Sequence, residues 1–183
     1  MPDFRFKSSA LQTARLELRK LTEEDAYDLM FLRSNNIVNE FIDRPAPSNY
    51  ADALAFIQNV NERMREQEAI YWGITLKGNN SIIGTICLWN LSFEHHLGEL
   101  GYELHPDFHG RGLMQEAIEA VLAYGFEQMK LLVITALPQR GNVKSIQLLI
   151  KNKFIQDESY RFVRKEDAIG YLVYYLLSRG VIL

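Results

Sequence analysis

The stretch Leu97–Gly125, LGELGYELHPDFHGRGLMQEAIEAVLAYG, constrains what this chain can fold into more than any other. Leu100, Tyr102 and Leu104 alternate with Glu99, Gly101 and Glu103, the period of two that a strand requires. Pro106 ends that strand, and Gly110 and Gly112 bracket Arg111 where a second period takes over. Apolar or small residues then fall at Met114, Ala117, Ile118, Val121, Leu122, Gly125, Phe126 and Met129, a three-and-four spacing that buries one face of a helix. A glycine-lined turn opening a helix leaves backbone N–H groups without acceptors. With the positive end of the helix dipole, they suit a phosphate or pyrophosphate. Taken alone, the glycine pair is equally an ordinary turn. It is not a nucleotide P-loop, because no Gly-Lys-Ser/Thr follows, and not a dinucleotide fingerprint, because the third glycine is missing.

The residues ELGYELHPDFHGRGLMQEA resemble the acetyl-CoA-binding motif of the GNAT superfamily of N-acetyltransferases. Within it they are most similar to the Rim-type branch, which contains ribosomal-protein N-terminal acetyltransferases. The superfamily pattern Gln/Arg-x-x-Gly-x-Gly/Ala falls on His109, Gly112 and Met114, of which the glycine matches strictly. The branch pattern of Trp-Gly-Lys-Gly, an aromatic and Ala, then Glu-Ala, is followed by His109–Met114 and Glu116-Ala117. His for Trp and Met for Ala are departures in side-chain packing rather than in amide geometry. The resemblance implies that the backbone N–H groups of Gly110, Arg111, Gly112, Leu113 and Met114 hold a pyrophosphate. It implies that Arg111, Arg140 or Lys144 supply charge, and that the strand edge at Tyr102–Leu104 pairs with pantetheine and polarises the acetyl carbonyl.

A second segment, PQRGNVKSIQLLIKNKF, resembles the family's Asn-x-x-Ser/Ala-x-x-Leu helix through Asn142, Ser145 and Leu148. Many members carry, at the position of Leu149, a Tyr that protonates the departing thiolate. The Rim-type branch commonly lacks it and offers a serine, here Ser145. On its residues alone, Ser145 is a first-turn hydroxyl.

The remaining chain reads in order. Residues 1–13 form an extended lead-in. Arg15–Arg19 alternates as a first strand, and Thr22-Glu-Glu-Asp25 opens a helix with a capping box. Ser48 caps a second helix whose stripe is Ala53, Phe56, Ile57, Val60 and Met64. Between them, Phe31–Tyr50 holds Asn35, Asn36, Phe41, Asp43 and Arg44, which the resemblance places in the acceptor wall. Tyr71–Lys77 and Ser81–Leu91 form a hairpin about Gly78-Asn79-Asn80. Leu131–Leu137 is a buried strand. Phe154–Arg164 and Ala168–Ser178 form a last hairpin, with Ile169, Leu172, Tyr174 and Leu176 as core. The order βααβββαβαββ and the resemblance, which runs from Arg15 to Ser178, imply an α/β (α+β) fold. Its sheet is mixed and mostly antiparallel, with helices on both faces and central strands splaying near His105.

At 183 residues with no repeat or linker, one domain over residues 1–183 is the economical reading. A net charge of −3 argues against a dedicated nucleic-acid binder. The single cysteine, Cys87, excludes an internal disulfide and fits a cytoplasmic protein; in its apolar run it reads as a structural thiol. No signal peptide or spanning apolar run is visible, so no membrane partner is expected. His95-His96 lacks the spacing and partners of a zinc site, so no metal is expected. The expected assembly is a monomer or homodimer.

The expected function is acetyl transfer from acetyl-CoA to an amine in a ternary complex, without an acyl-enzyme. An α-amine titrates near 7.7–8.0 and a lysine amine near 10.4, a difference of about 3.5 kcal/mol in deprotonation. A lysine acetylator therefore needs a stronger base, and the resemblance to the Rim-type branch makes a protein N-terminal α-amine the first candidate. A small amine such as an amino-sugar antibiotic, polyamine or amino acid is the second. Glu99 and Glu103, on one face of a strand, are the candidate bases, with Glu103 preferred as nearer the splay. Two rivals remain: a non-catalytic acyl-CoA-binding module, and a nucleotide-binding regulator that uses the glycine turn.

Overall fold

A computed structural model describes residues 10–178. The first nine residues of the lead-in lie outside the described residues. The strands are β1 (Leu11–Gln12), β2 (Leu16–Arg19), β3 (Ile70–Leu76), β4 (Ile82–Ser92), β5 (Leu97–Leu104), β6 (Val133–Ala136), β7 (Ile155–Gln156) and β8 (Tyr174–Leu177). The helices are α1 (Ala26–Ser34), α2 (Asn36–Asn39), α3 (Tyr50–Arg65), α4 (Leu113–Glu127) and α5 (Val143–Lys151). The strands form one sheet in the order β1-β2-β3-β4-β5-β6-β8-β7, antiparallel throughout except for β5 beside β6. This is the mixed, mostly antiparallel sheet expected from the sequence.

Alternation along the strands builds a core on each face. Leu16, Leu18, Trp72, Ile74, Ile86 and Leu88 join the apolar stripe of α4 on one face. Trp72 is fully buried and meets the Tyr124 ring edge-on at 5.5 Å. On the other face Leu21 and Ile82 pack with Leu29 of α1 and Ala53, Ile57 and Val60 of α3. Emptying one of these large buried positions to alanine costs about 2–5 kcal/mol. The β3–β4 turn needs Gly78, whose φ of 79° belongs to the left-handed region.

Helix entries follow the capping chemistry, with one shift. The Thr22 N–H donates to Asp25 Oδ2 at 2.7 Å, and Arg19 holds both oxygens of Asp25, so strand β2 is tied to the start of α1. The second long helix is capped by Asn49 rather than Ser48. The Asn49 side chain accepts from the Asp52 N–H, while the Ser48 N–H donates to the Asp52 carboxylate.

The C-terminal hairpin is much shorter than the alternation suggests. Among the described residues only Ile155 and Gln156 pair in it, with Tyr175 and Tyr174. The Asp157 carboxylate accepts the N–H groups of Ser159 and Arg161, which turns the chain out of the sheet at once. Ile169, expected in the core, is 80% exposed.

Candidate active site

The site begins where two parallel strands part company. β5 and β6 pair only at Leu97–Val133, Gly98–Ile134 and Glu99–Thr135. β6 then ends at Ala136 and the chain enters Leu137-Pro138, while β5 runs on to Leu104. The split thus opens past Glu99, well before His105. Among the described residues, the edge of β5 beyond Glu99 that faces away from β4 has no strand partner, which leaves backbone groups that an extended ligand could pair with. A cleft of about 1680 Å³ runs through this gap. That exceeds the roughly 300–1,000 Å³ of an ordinary small-molecule pocket.

At one end of the cleft lies the start of α4. Gly110 and Gly112 have φ of 74° and 71°. A Cβ at Gly110 would meet nothing within 4 Å, and one at Gly112 only Arg15 Nη2 at 3.6 Å. Glycine is therefore required by backbone conformation, not by crowding within the protein. The first helical hydrogen bond runs from the Glu116 N–H to the Gly112 carbonyl, which leaves the N–H groups of Leu113, Met114 and Gln115 without helical acceptors. The Leu113 and Met114 side chains are buried beneath them. His109 Nε2 lies 2.9 Å from the Leu104 carbonyl, fastening the turn to the end of β5.

The turn has a second fastening that sequence reasoning did not find. Arg15 donates through Nε to Glu116 Oε2 at 2.7 Å and through Nη1 to the Arg111 carbonyl at 2.9 Å. Its own N–H and the Thr13 hydroxyl also donate to Glu116. The signal was a glutamate in the first turn of a helix, where the dipole favours an acid. Its partner lies about a hundred residues away.

Tyr102, Leu104, Asn142 and Lys144 line the cleft. Asn142 Oδ1 accepts the Ser145 N–H at 3.1 Å and so serves as the cap of α5. Arg111 and Arg140 are not on the cleft wall; the Arg111 guanidinium lies over the Phe108 ring at 5.4 Å. Ser145 Oγ and the Tyr102 hydroxyl are 2.8 Å apart. Burial pushes the Tyr102 phenol up to about 12 despite that contact. Leu149 is fully buried and offers no polar atom.

On the opposite face of β5 the two glutamates differ. Glu103 is 6% exposed. Its Oε1 accepts from the Thr85 hydroxyl at 2.9 Å and lies 3.6 Å from the Arg33 guanidinium, and its Oε2 is paired with Arg44. The Tyr71 hydroxyl backs Thr85 at 3.0 Å. Both oxygens of Glu103 are thus engaged by fixed donors. Glu99 lines the cleft with neutral partners only. Burial raises its carboxyl above the ordinary range, partly offset by hydrogen bonds from Asn90 and Trp89. Charged partners thus hold Glu103, and neutral ones Glu99.

Of the residues expected in the acceptor wall, Phe41, Asp43 and Arg44 line the cleft. Asn35 and Asn36 do not; Asn35 caps α2 by accepting the Ile37 and Val38 N–H groups. Arg33, from α1, reaches the cleft unannounced by any motif. Cys87 also lines it, with its thiol pushed up to about 12 by burial. Among the described residues no helix is long and apolar enough to cross a membrane.

Residues 15–155 match the family model described as acetyltransferase (GNAT) domain. The chain is 33% identical over 161 residues to the N-acetyltransferase YoaA of Bacillus subtilis (strain 168), covering 88% of this chain and 91% of that protein. Its fold is similar to that of a ribosomal-protein-S5-alanine acetyltransferase from Vibrio fischeri, with a TM-score of 0.75 at 19% identity, covering 96% of this chain and 100% of that one. It is also similar to Mycobacterium smegmatis RimJ in complex with CoA-disulfide, with a TM-score of 0.80 at 16% identity, covering 96% and 90%.

Proposed function

The chain belongs to the GNAT acetyltransferase family and is an N-acyltransferase, and from that premise we propose that it acetylates an α-amine by direct attack, with Glu99 as base and Ser145 as acid. One observation carries the reading. A single cleft joins the free amides at the start of α4, the unpaired edge of β5 and the Tyr102–Ser145 hydroxyl pair, with Glu99 across the strand.

The residues present fit acetyl-CoA, which supplies the activated thioester. The N–H groups of Leu113 and Met114, presented by the left-handed turn at Gly110 and Gly112, suit its pyrophosphate. Lys144, exposed, is the one of the three cations expected to add charge that lines the cleft. The backbone of β5 from Leu100 to Leu104 can pair with the amides of the pantetheine arm and polarise the acetyl carbonyl.

Glu99 takes the proton that the attacking nitrogen must lose. Its desolvated carboxylate is a stronger base than one in water. Ser145 gives a proton to the sulfur that leaves and regains one from solvent, as Glu99 loses to solvent the proton it took from nitrogen; Tyr102 holds the Ser145 hydroxyl in place through their hydrogen bond. No acyl-enzyme is needed: a thiol with its pKa near 12 supplies almost no thiolate at neutral pH, so Cys87 is a poor nucleophile. A lone carboxylate suits an α-amine better than a lysine amine, which is harder to deprotonate by about 3.5 kcal/mol. The neighbouring ribosomal-protein acetyltransferase supports a protein N-terminus as one such α-amine. A cytoplasmic location is consistent with that substrate.

Thiol release from acetyl-CoA, measured across N-terminal peptides, free amino acids, lysine side chains, polyamines and amino sugars, tests the proposal. Fastest turnover on α-amines is expected. Preference for a lysine side chain or polyamine would contradict the substrate class, and no turnover on any amine would return the chain to an acyl-CoA-binding module.

A further inference from the structure

The acceptor side of the cleft holds more buried positive charge than Glu103 can neutralise. The side chains of Arg33 and Arg44 are only 13% and 14% exposed, and both face this one carboxylate. Arg44 is well partnered, donating to Glu103 and to Asn39 Oδ1. Arg33 is not. Its guanidinium stacks on the Phe56 ring at 3.8 Å and stands 3.6 Å from Glu103 Oε1, beyond hydrogen-bond length. Among the described residues its five donors make no hydrogen bond, and the side chain lines the cleft. Glu40 and Asp43, the acids that the loop around Arg44 adds to this wall, are exposed, and Glu99, four residues along β5, is hydrogen-bonded to Asn90 rather than to either arginine. A fork of donors held flat against an aromatic ring, desolvated and carrying uncompensated charge, is arranged to receive an anion.

We propose that Arg33 and Arg44, set against the single carboxylate of Glu103, form an anion-recognition site, so that the acceptor amine carries a carboxylate or phosphate. This rests on the reading in which the acceptor enters from the Glu99 face. It deepens that reading by naming a second group on the substrate. Removing or neutralising that group leaves the guanidinium pair unmatched, so discrimination falls on the acceptor and not on the acyl donor.

The test uses matched α-amine probes on the CoA-bound protein, with binding and turnover measured separately. The pairs are alanyl-glutamate amide against alanyl-glutamine amide, alanyl-phosphoserine amide against alanyl-serine amide, and alanyl-alanine against its amide. In calorimetry at least one anionic member is expected to bind about ten- to a hundredfold tighter than its neutral partner. The pair with the largest ratio identifies side-chain carboxylate, phosphate or terminal carboxylate. Arg33→Gln should abolish the ratio, and Arg33→Lys should restore part of it. Glu103→Gln should tighten anion binding, a gain that a merely damaged fold cannot produce. Equal binding within every pair, or an unchanged ratio in Arg33→Gln, would overturn the proposal. If the anionic probes bind tightly but release no thiol, the anion site stands and the acetyl-transfer reading fails.

Discussion

Glu99 is costly to keep ionised where it sits, and in the proposed mechanism that cost is what distinguishes the base from the paired Glu103. Its folded pKa is raised, so its protonated form is favoured by the fold. The stability it contributes is therefore fully present below its unfolded pKa, about 4.3, and is lost as pH rises through the folded value. Glu99→Gln should accordingly raise the stability of the free protein at neutral pH, with the gain vanishing in acid. The same variant should lose about 10²–10⁴-fold in kcat/KM. That loss should shrink as pH passes about 7.7–8.0, where the α-amine ionises without help. Denaturation and rate profiles against pH check both halves; a loss equal at every pH would make Glu99 a binding residue. The hydroxyl pair makes a second expectation at this scale. Ser145→Ala should lower kcat by roughly ten- to a hundredfold, about 1.4–2.7 kcal/mol, with the KM for acetyl-CoA little changed. In the proposed mechanism Tyr102 acts only by positioning Ser145, 2.8 Å away, so Tyr102→Phe combined with Ser145→Ala should be no worse than Ser145→Ala alone. A wild-type kcat in Ser145→Ala would return it to an ordinary first-turn hydroxyl. Single residues were legible only where local spacing named them. Asn142 and Ser145 announced a helix start, and Glu99 and Glu103 a shared strand face. Arg33 and Arg44 were opaque as partners of Glu103, because they come from α1 and an irregular loop far from it in sequence. Without them the two glutamates could not be ranked.

Among the elements, the turn into α4 concentrates the requirement for glycine. At Gly112 the demand is a φ of 71°, which a β-branched residue adopts only with strain. Gly112→Val should weaken acetyl-CoA binding at least tenfold while unfolding stays cooperative, because the helix is still held by its buried stripe and by the Arg15–Glu116 contact. Unchanged affinity in a binding titration would mean that the pyrophosphate lies elsewhere. This element was plain in the sequence, since a strand period, two glycines and a helix period are all local signals. The C-terminal hairpin was not. Its alternation continued beyond the pairing, and Asp157 ends the strand by capturing two amides, a competition that apolar spacing does not encode. The position of the split was equally hidden, since it depends on where β6 stops relative to β5.

For the whole molecule, the sheet has a mechanical logic. Antiparallel strands on either side fix β5 and β6, whose brief parallel contact then opens into the cleft. The core on one face carries the amides of α4 and the Tyr102–Ser145 pair. On the other face α1 and the loop after α2 carry Arg33 and Arg44 toward Glu103. In the proposed mechanism donor and acceptor approach through this one gap from two faces of one sheet. The most direct measurement of this account is the unfolding temperature with acetyl-CoA present at one hundred times its dissociation constant. The account predicts a gain of about 2.7 kcal/mol, roughly 5–10 °C for a chain of this size, and much less with ATP at the same concentration. No shift with saturating acetyl-CoA, or an equal shift with ATP, would contradict it.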